Sequence, residues 1–108
     1  MNRIAANIEK TTKLLDRDPV THSKLKQLDE KKDSCKLDWK LFYAFQEVKS
    51  FAFAMGFLSL DEATTIYAVL GNGPEHFNRQ PLATRFVLTT TFAELLNWRL
   101  KMGTAQTN

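Results

Sequence analysis

Apolar positions in the first fifteen residues recur at spacings of three and four, so that Met1, Ile4, Ile8, Thr11 and Leu15 share one face of a helix. Asp18 and Pro19 then supply a cap and a first-turn proline for a second helix, in which Leu25, Leu28 and Cys35 carry a weaker stripe to about Lys36. The short connection at Arg17 to Pro19 favours an antiparallel hairpin, with a loop over 18–24 as the other solution.

From Asp38 the pattern broadens. Leu41, Phe45, Val48, Ala52 and Met55 form one row, flanked by Trp39, Phe42 and Phe51, and only Lys40, Tyr43, Glu47 and Ser50 make a polar stripe. Gly56 is placed to end this helix in a left-handed conformation. Phe51, Phe53, Met55 and Phe57 also alternate with small residues, which is the period of a half-buried strand; the helix is preferred because Ala and Met are good helix formers.

Ser59 to Glu62 reads as a capping box opening a helix with Leu60, Ala63, Ile66, Tyr67 and Leu70 inward and a stop at Gly71. Pro81 opens a last helix reaching Met102. Its expected buried face is Leu82, Phe86, Phe92, Leu95, Leu96 and Leu100, and its wet stripe Thr90, Glu94, Asn97 and Lys101. Three consecutive β-branched residues, Thr89 to Thr91, weaken that helix and leave a strand over 85–90 as the competing reading. The pattern therefore predicts an all-α bundle of four or five helices in one domain: a charged amphipathic arm over 1–37, an aromatic-rich core over 38–102, and a frayed tail over 103–108. The alternative is α+β, with short strands near 51–57 and 85–90.

Composition sharpens this division. The chain has 108 residues, a formal net charge of +3 and twelve aromatic side chains, none of them before Trp39. The core therefore belongs to the C-terminal two thirds. Eleven of the fifteen basic residues precede residue 51, together with eight of the twelve acidic ones, so the whole net charge sits in the first half. The single cysteine excludes an intramolecular disulfide, and the longest apolar run, Phe51 to Leu58, is far short of the ~20 residues that cross a bilayer. With no apolar leader in the first ten residues, the expectation is a cytoplasmic chain with no membrane partner.

Candidate chemistry is sparse. His22 and His76 are far apart in sequence and form no metal-ligand pair, and Gly71-Asn72-Gly73 fails as a phosphate or dinucleotide loop. No cofactor or metal is expected, and Cys35 is expected to be a partly buried, inert thiol. Functional groups concentrate only in the loop carrying Asn72, Glu75, His76, Asn78 and Arg79, a candidate contact loop, with Phe77 as its anchor on the core. Arg3, Lys10, Lys13 and Arg17 lie near one face of the first helix and are candidate phosphate contacts, although Glu9 and Asp16 beside them favour an ordinary solvated face. The expected function is a non-enzymatic protein-protein interaction or regulatory module, self-associating as a homodimer through the arm seam Ile4, Ile8 and Leu15. The alternative is a small nucleic-acid-binding regulator using the basic arm.

Overall fold

A computed structural model describes residues 19–106, and among these it contains five helices and no strand. Most of the arm lies outside the described residues, including the seam Ile4, Ile8 and Leu15 and the basic set Arg3, Lys10, Lys13 and Arg17.

Helix α1, Pro19–Glu30, begins at its proline and buries Thr21, Leu25 and Leu28. It ends earlier than the spacing predicts. Tight turns over 31–35 follow, closed by the Cys35 N–H donating to the Lys31 carbonyl at 2.7 Å, with Cys35 at φ 54°. This left-handed turn tucks the thiol and Leu37 into the interior and frees Asp38 to cap the next helix.

Helix α2, Trp39–Ala54, starts where the Asp38 carboxylate accepts the Leu41 N–H at 2.8 Å. The expected row is buried from Leu41 to Ala52, Phe42 joins it, and the polar stripe Lys40, Tyr43, Glu47 and Ser50 faces out. Its end explains why Phe51 to Phe57 is not a strand. The Phe57 N–H reaches back to the Ala52 carbonyl at 2.8 Å and the Gly56 N–H to the Phe53 carbonyl at 3.1 Å, with Gly56 at φ 81°. That paired arrangement is the Schellman stop, and it leaves Met55 outside the core.

Helix α3, Leu60–Leu70, carries the capping box in full, Ser59 and Glu62 each accepting the other's backbone N–H. Ala63, Ile66 and Leu70 are buried, but Leu60 is 67% exposed and Tyr67 55%, contrary to their expected inward positions. The buried face of α3 is narrow, and Leu60 and Tyr67 fall outside it, although the Tyr67 ring meets the Lys49 ammonium of α2. A five-residue helix, α4 (Pro74–Asn78), follows, with Phe77 fully buried as the loop's anchor.

Helix α5, Leu82–Gln106, runs unbroken through the threonines and continues past Met102. The Thr89 hydroxyl donates to the Phe86 carbonyl at 3.2 Å and that of Thr91 to the Val87 carbonyl at 2.9 Å, so both satisfy themselves on the preceding turn. Two expectations for this helix are corrected. Thr90 and Asn97 are buried instead of wet, while Leu82 and Phe86 are substantially exposed. The core is the α2/α5 pair with α1 laid on both and α3 on α2.

Candidate interaction surface

The loop after α3 owes its shape to two glycines and one amide. Gly71 has φ 68°, and the His76 ring lies so close that a Cβ there would meet its Cδ2 at 2.2 Å. Gly73 has an extended backbone, yet a Cβ on it would meet Trp39 Cη2 at 2.8 Å, so its lack of a side chain is what lets the indole rest against the turn. The result is a cleft of about 460 Å³ lined by Trp39, Asn72, Glu75, His76 and Arg79.

Of the predicted contact loop, Asn72, Glu75, His76 and Arg79 thus come together, and Asn78 does not join them. Its carboxamide accepts from the Leu37 N–H and donates to the Leu37 carbonyl, both at 2.9 Å, clamping the 31–38 segment to α4. Arg85 holds the same segment from the other side through the Ser34 carbonyl at 3.1 Å. Within the cleft the Glu75 carboxylate accepts from Arg79 at 3.0 Å, and the lining contains no hydroxyl or thiol. The lining thus offers an imidazole with no hydroxyl or thiol beside it, an ion pair and an amide.

Charged groups elsewhere are held locally. The Leu41 N–H holds the Asp38 carboxyl below the ordinary carboxylate range against the opposing effect of burial, with the Lys31 ammonium at 3.2 Å adding to the lowering. Lys49 is buried along its stem with its ammonium 4.9 Å from the Tyr67 ring centre, and burial pushes its pKa down. The Cys35 thiol is buried and donates to the Lys32 carbonyl at 3.2 Å. Among the described residues no group of three or more His, Cys, Asp or Glu side chains is arranged to hold a metal ion. No helix among them is long and apolar enough to cross a membrane.

The larger feature is one that the loop-centred reading missed. Between α3 and α5 lies an apolar groove of about 330 Å³, floored by Leu58, Ile66 and Leu88, walled by Val87 and Thr91, and edged by Asp61. A second cleft of about 460 Å³ opens beyond it between Met55, Phe57, Trp98, Lys101 and Met102. The two abut at Phe57 and Leu58, adjacent in sequence, and the Phe57 ring stacks on the Trp98 indole at 4.8 Å between centroids. Val87, Thr91, Glu94, Trp98 and Lys101 recur at helical spacing along α5, so both clefts open on one side of that helix, with Glu94 on the same stripe between them. Val87 is 58% exposed and Phe57 50%.

A signal for this strip exists in the sequence. Phe57 and Leu58 follow the Gly56 stop and have no polar neighbours until Ser59, so two large apolar residues fall in a surface turn. No protein-family model, curated protein or solved structure matches the chain.

Proposed function

We propose that the protein is a non-enzymatic interaction module that self-associates through the strip between α3 and α5. The observation that carries this reading is the joined pair of apolar clefts, with Phe57 and Val87 half or more exposed along it. Leaving such a surface in water costs roughly 25 cal/mol for each Å² of apolar area that a partner would cover, and contiguous apolar patches of this kind mark interaction sites. The strip takes the role expected of the arm seam, whose residues Ile4, Ile8 and Leu15 lie outside the described ones.

Sedimentation equilibrium over a range of concentrations tests the reading. The wild type is expected to associate reversibly and Val87→Asp to remain monomeric with its helical circular dichroism intact. A wild type that stays monomeric at every concentration contradicts it, as does a Val87→Asp variant that associates like wild type.

A second reading is favoured by a different surface. Trp39 and Tyr43 are exposed with ring centres 5.4 Å apart, and Lys24 and Lys40 line the cleft beside Tyr43, which combines stacking faces with cations as single-stranded nucleic acid requires. Fluorescence anisotropy with a labelled single-stranded oligonucleotide, repeated at rising salt, tests it. Salt-sensitive binding that Tyr43→Ala removes supports the reading, and no binding at low salt contradicts it.

A further inference from the structure

The flank of α5 turned away from α2 is buried as well. At about 100° per residue from Phe92, which stacks on Phe45 of α2, Leu100, Ala93, Asn97 and Thr90 lie about 80°, 100°, 140° and 160° round the helix, and all four are buried. On α1, Lys24 and His22 lie on opposite sides of the buried Leu25. Lys24 lines the cleft shared with α2, so His22 faces the other way, toward the side of the α5 stripe. The two helices run antiparallel: Val20, Thr21 and Lys24 lie beside Leu96 and Arg99, and the Ser34 carbonyl, beyond the end of α1, accepts from Arg85. His22 and Asn97 therefore stand at one level.

This flank holds polar atoms that the described residues leave unmet. Thr90 is 6% and Asn97 8% exposed, and Thr90 Oγ1, Asn97 Oδ1 and His22 Nδ1 have no hydrogen-bond partner among the described residues. Buried polar groups are as a rule paired, so three on one flank point to a covering segment. The chain supplies one. Residues 1–18 lead directly into Pro19, at the Leu100 end of the stripe. Their seam from Ile4 to Leu15 covers about 17 Å of helix, against about 15 Å from Thr90 to Leu100. Folded back along α1 by the short turn at 17–19, the segment sets Leu15 at Leu100, Ile8 at Ala93 and Ile4 at Thr90. Thr11 and Thr12 then stand level with Asn97 and His22, about 100° apart and so turned one to each helix. Glu9 falls beside Lys26, which is in no ion pair among the described residues.

We infer that residues 1–18 dock as a helix on this flank of their own chain, antiparallel to α1, with the Ile4, Ile8 and Leu15 seam on the α5 stripe and the Thr11 and Thr12 hydroxyls donating to Asn97 Oδ1 and His22 Nδ1. Ile4 covers Thr90 without meeting its hydroxyl. The seam is thereby used within the chain, and the clefts between α3 and α5 are left for partners. The inference goes beyond the interaction-module reading and stands on different residues.

Nuclear Overhauser contacts in the full-length chain at high dilution test it. Contacts are expected from the Ile8 and Leu15 methyl groups to those of Ala93 and Leu100, and they are expected to vanish in Ile4→Asp/Ile8→Asp. Thr12→Val is expected to shift the His22 Nδ1 resonance, and Thr11→Val those of the Asn97 carboxamide. Isotope-filtered spectra of mixed labelled and unlabelled chains separate contacts within a chain from contacts between copies. No contact between residues 1–18 and α5, contacts to Leu58 and Val87 instead, contacts that arise only between copies, or His22 and Asn97 resonances unmoved by the threonine variants each overturn the docking.

Discussion

The rings of Phe45 and Phe92 lie face to face, 4.4 Å between centroids and 8° from parallel, each fully buried at the centre of the α2/α5 contact. One residue comes from each of the two helices that hold the core, so this stack is where the N-terminal and C-terminal halves of the aromatic region lock together. Truncating either ring to alanine is expected to lower stability by about 3–5 kcal/mol, because a cavity opens where no neighbour can close in. Tyr43, on the same helix but on its wet stripe, is expected to cost about 0.5 kcal/mol on truncation. A double-mutant cycle over Phe45→Leu and Phe92→Leu reports the ring-on-ring part, expected at roughly 0.5–1.5 kcal/mol. Comparable losses at Phe45, Phe92 and Tyr43 in urea unfolding contradict the assigned faces.

Thr90 makes the opposite prediction. Its hydroxyl is buried on α5 with no hydrogen-bond partner, unlike those of Thr89 and Thr91, which bond back to the helix. Valine has nearly the same shape and no oxygen to desolvate. Thr90→Val is therefore expected to stabilise the protein by about 1 kcal/mol, visible as a higher melting temperature, whereas Thr89→Val gains less because it gives up a made bond. Destabilisation by Thr90→Val contradicts the burial of an unsatisfied group there.

Asn78 holds two segments that are 41 residues apart in sequence through the paired hydrogen bonds to Leu37. Asn78→Ala leaves both backbone groups of a buried residue without partners, at an expected cost of about 1–3 kcal/mol. Asn78→Asp keeps the acceptor for the Leu37 N–H and sets a carboxylate oxygen against its carbonyl, so it is expected to be no better than alanine at neutral pH. Native-state hydrogen exchange at Leu37 checks this directly: the amide exchanges faster in both variants.

These residues also show what was legible from sequence. The capping box at Ser59, the Gly56 stop and the apolar row of α2 from Leu41 to Ala52 are local, set by spacing and by hydrogen bonds within a turn, and they stand where the pattern put them, with Met55 alone of that row left outside the core. Inward and outward faces on α3 and α5 were less legible. Leu60, Tyr67, Leu82 and Phe86 are apolar but exposed, and Thr90 and Asn97 polar but buried, because a helix's own periodicity does not state how many neighbours cover it. The same limit hid the clefts between α3 and α5. They exist only after Phe57, Leu58, Val87 and Trp98, up to 41 residues apart, are brought together.

Two carboxylates give a pH dependence with a definite sign. Asp38 is lowered by the Leu41 N–H and by Lys31, and Glu62 by the Ser59 N–H and hydroxyl, so each binds its proton less readily folded than unfolded. Their contribution is thus complete above the ordinary values of 3.8 and 4.5 and is lost as the pH falls through the lowered folded values. Asp38→Asn and Glu62→Gln are each expected to flatten the fall in melting temperature below about pH 5, with little change in its slope between pH 6 and 8. Unaltered acid profiles in both variants contradict the two caps.

The central claim, that copies of this chain meet on the strip between α3 and α5, is tested most directly by amide and indole chemical shifts followed through a dilution series. The account predicts shifts that change with concentration at Leu58, Asp61, Val87, Thr91 and the Trp98 indole, all fitting one dissociation constant, while Trp39 and the 71–80 loop stay fixed. Concentration-dependent shifts confined to the arm or to Trp39 and the 71–80 loop, or spectra identical at every concentration, contradict it.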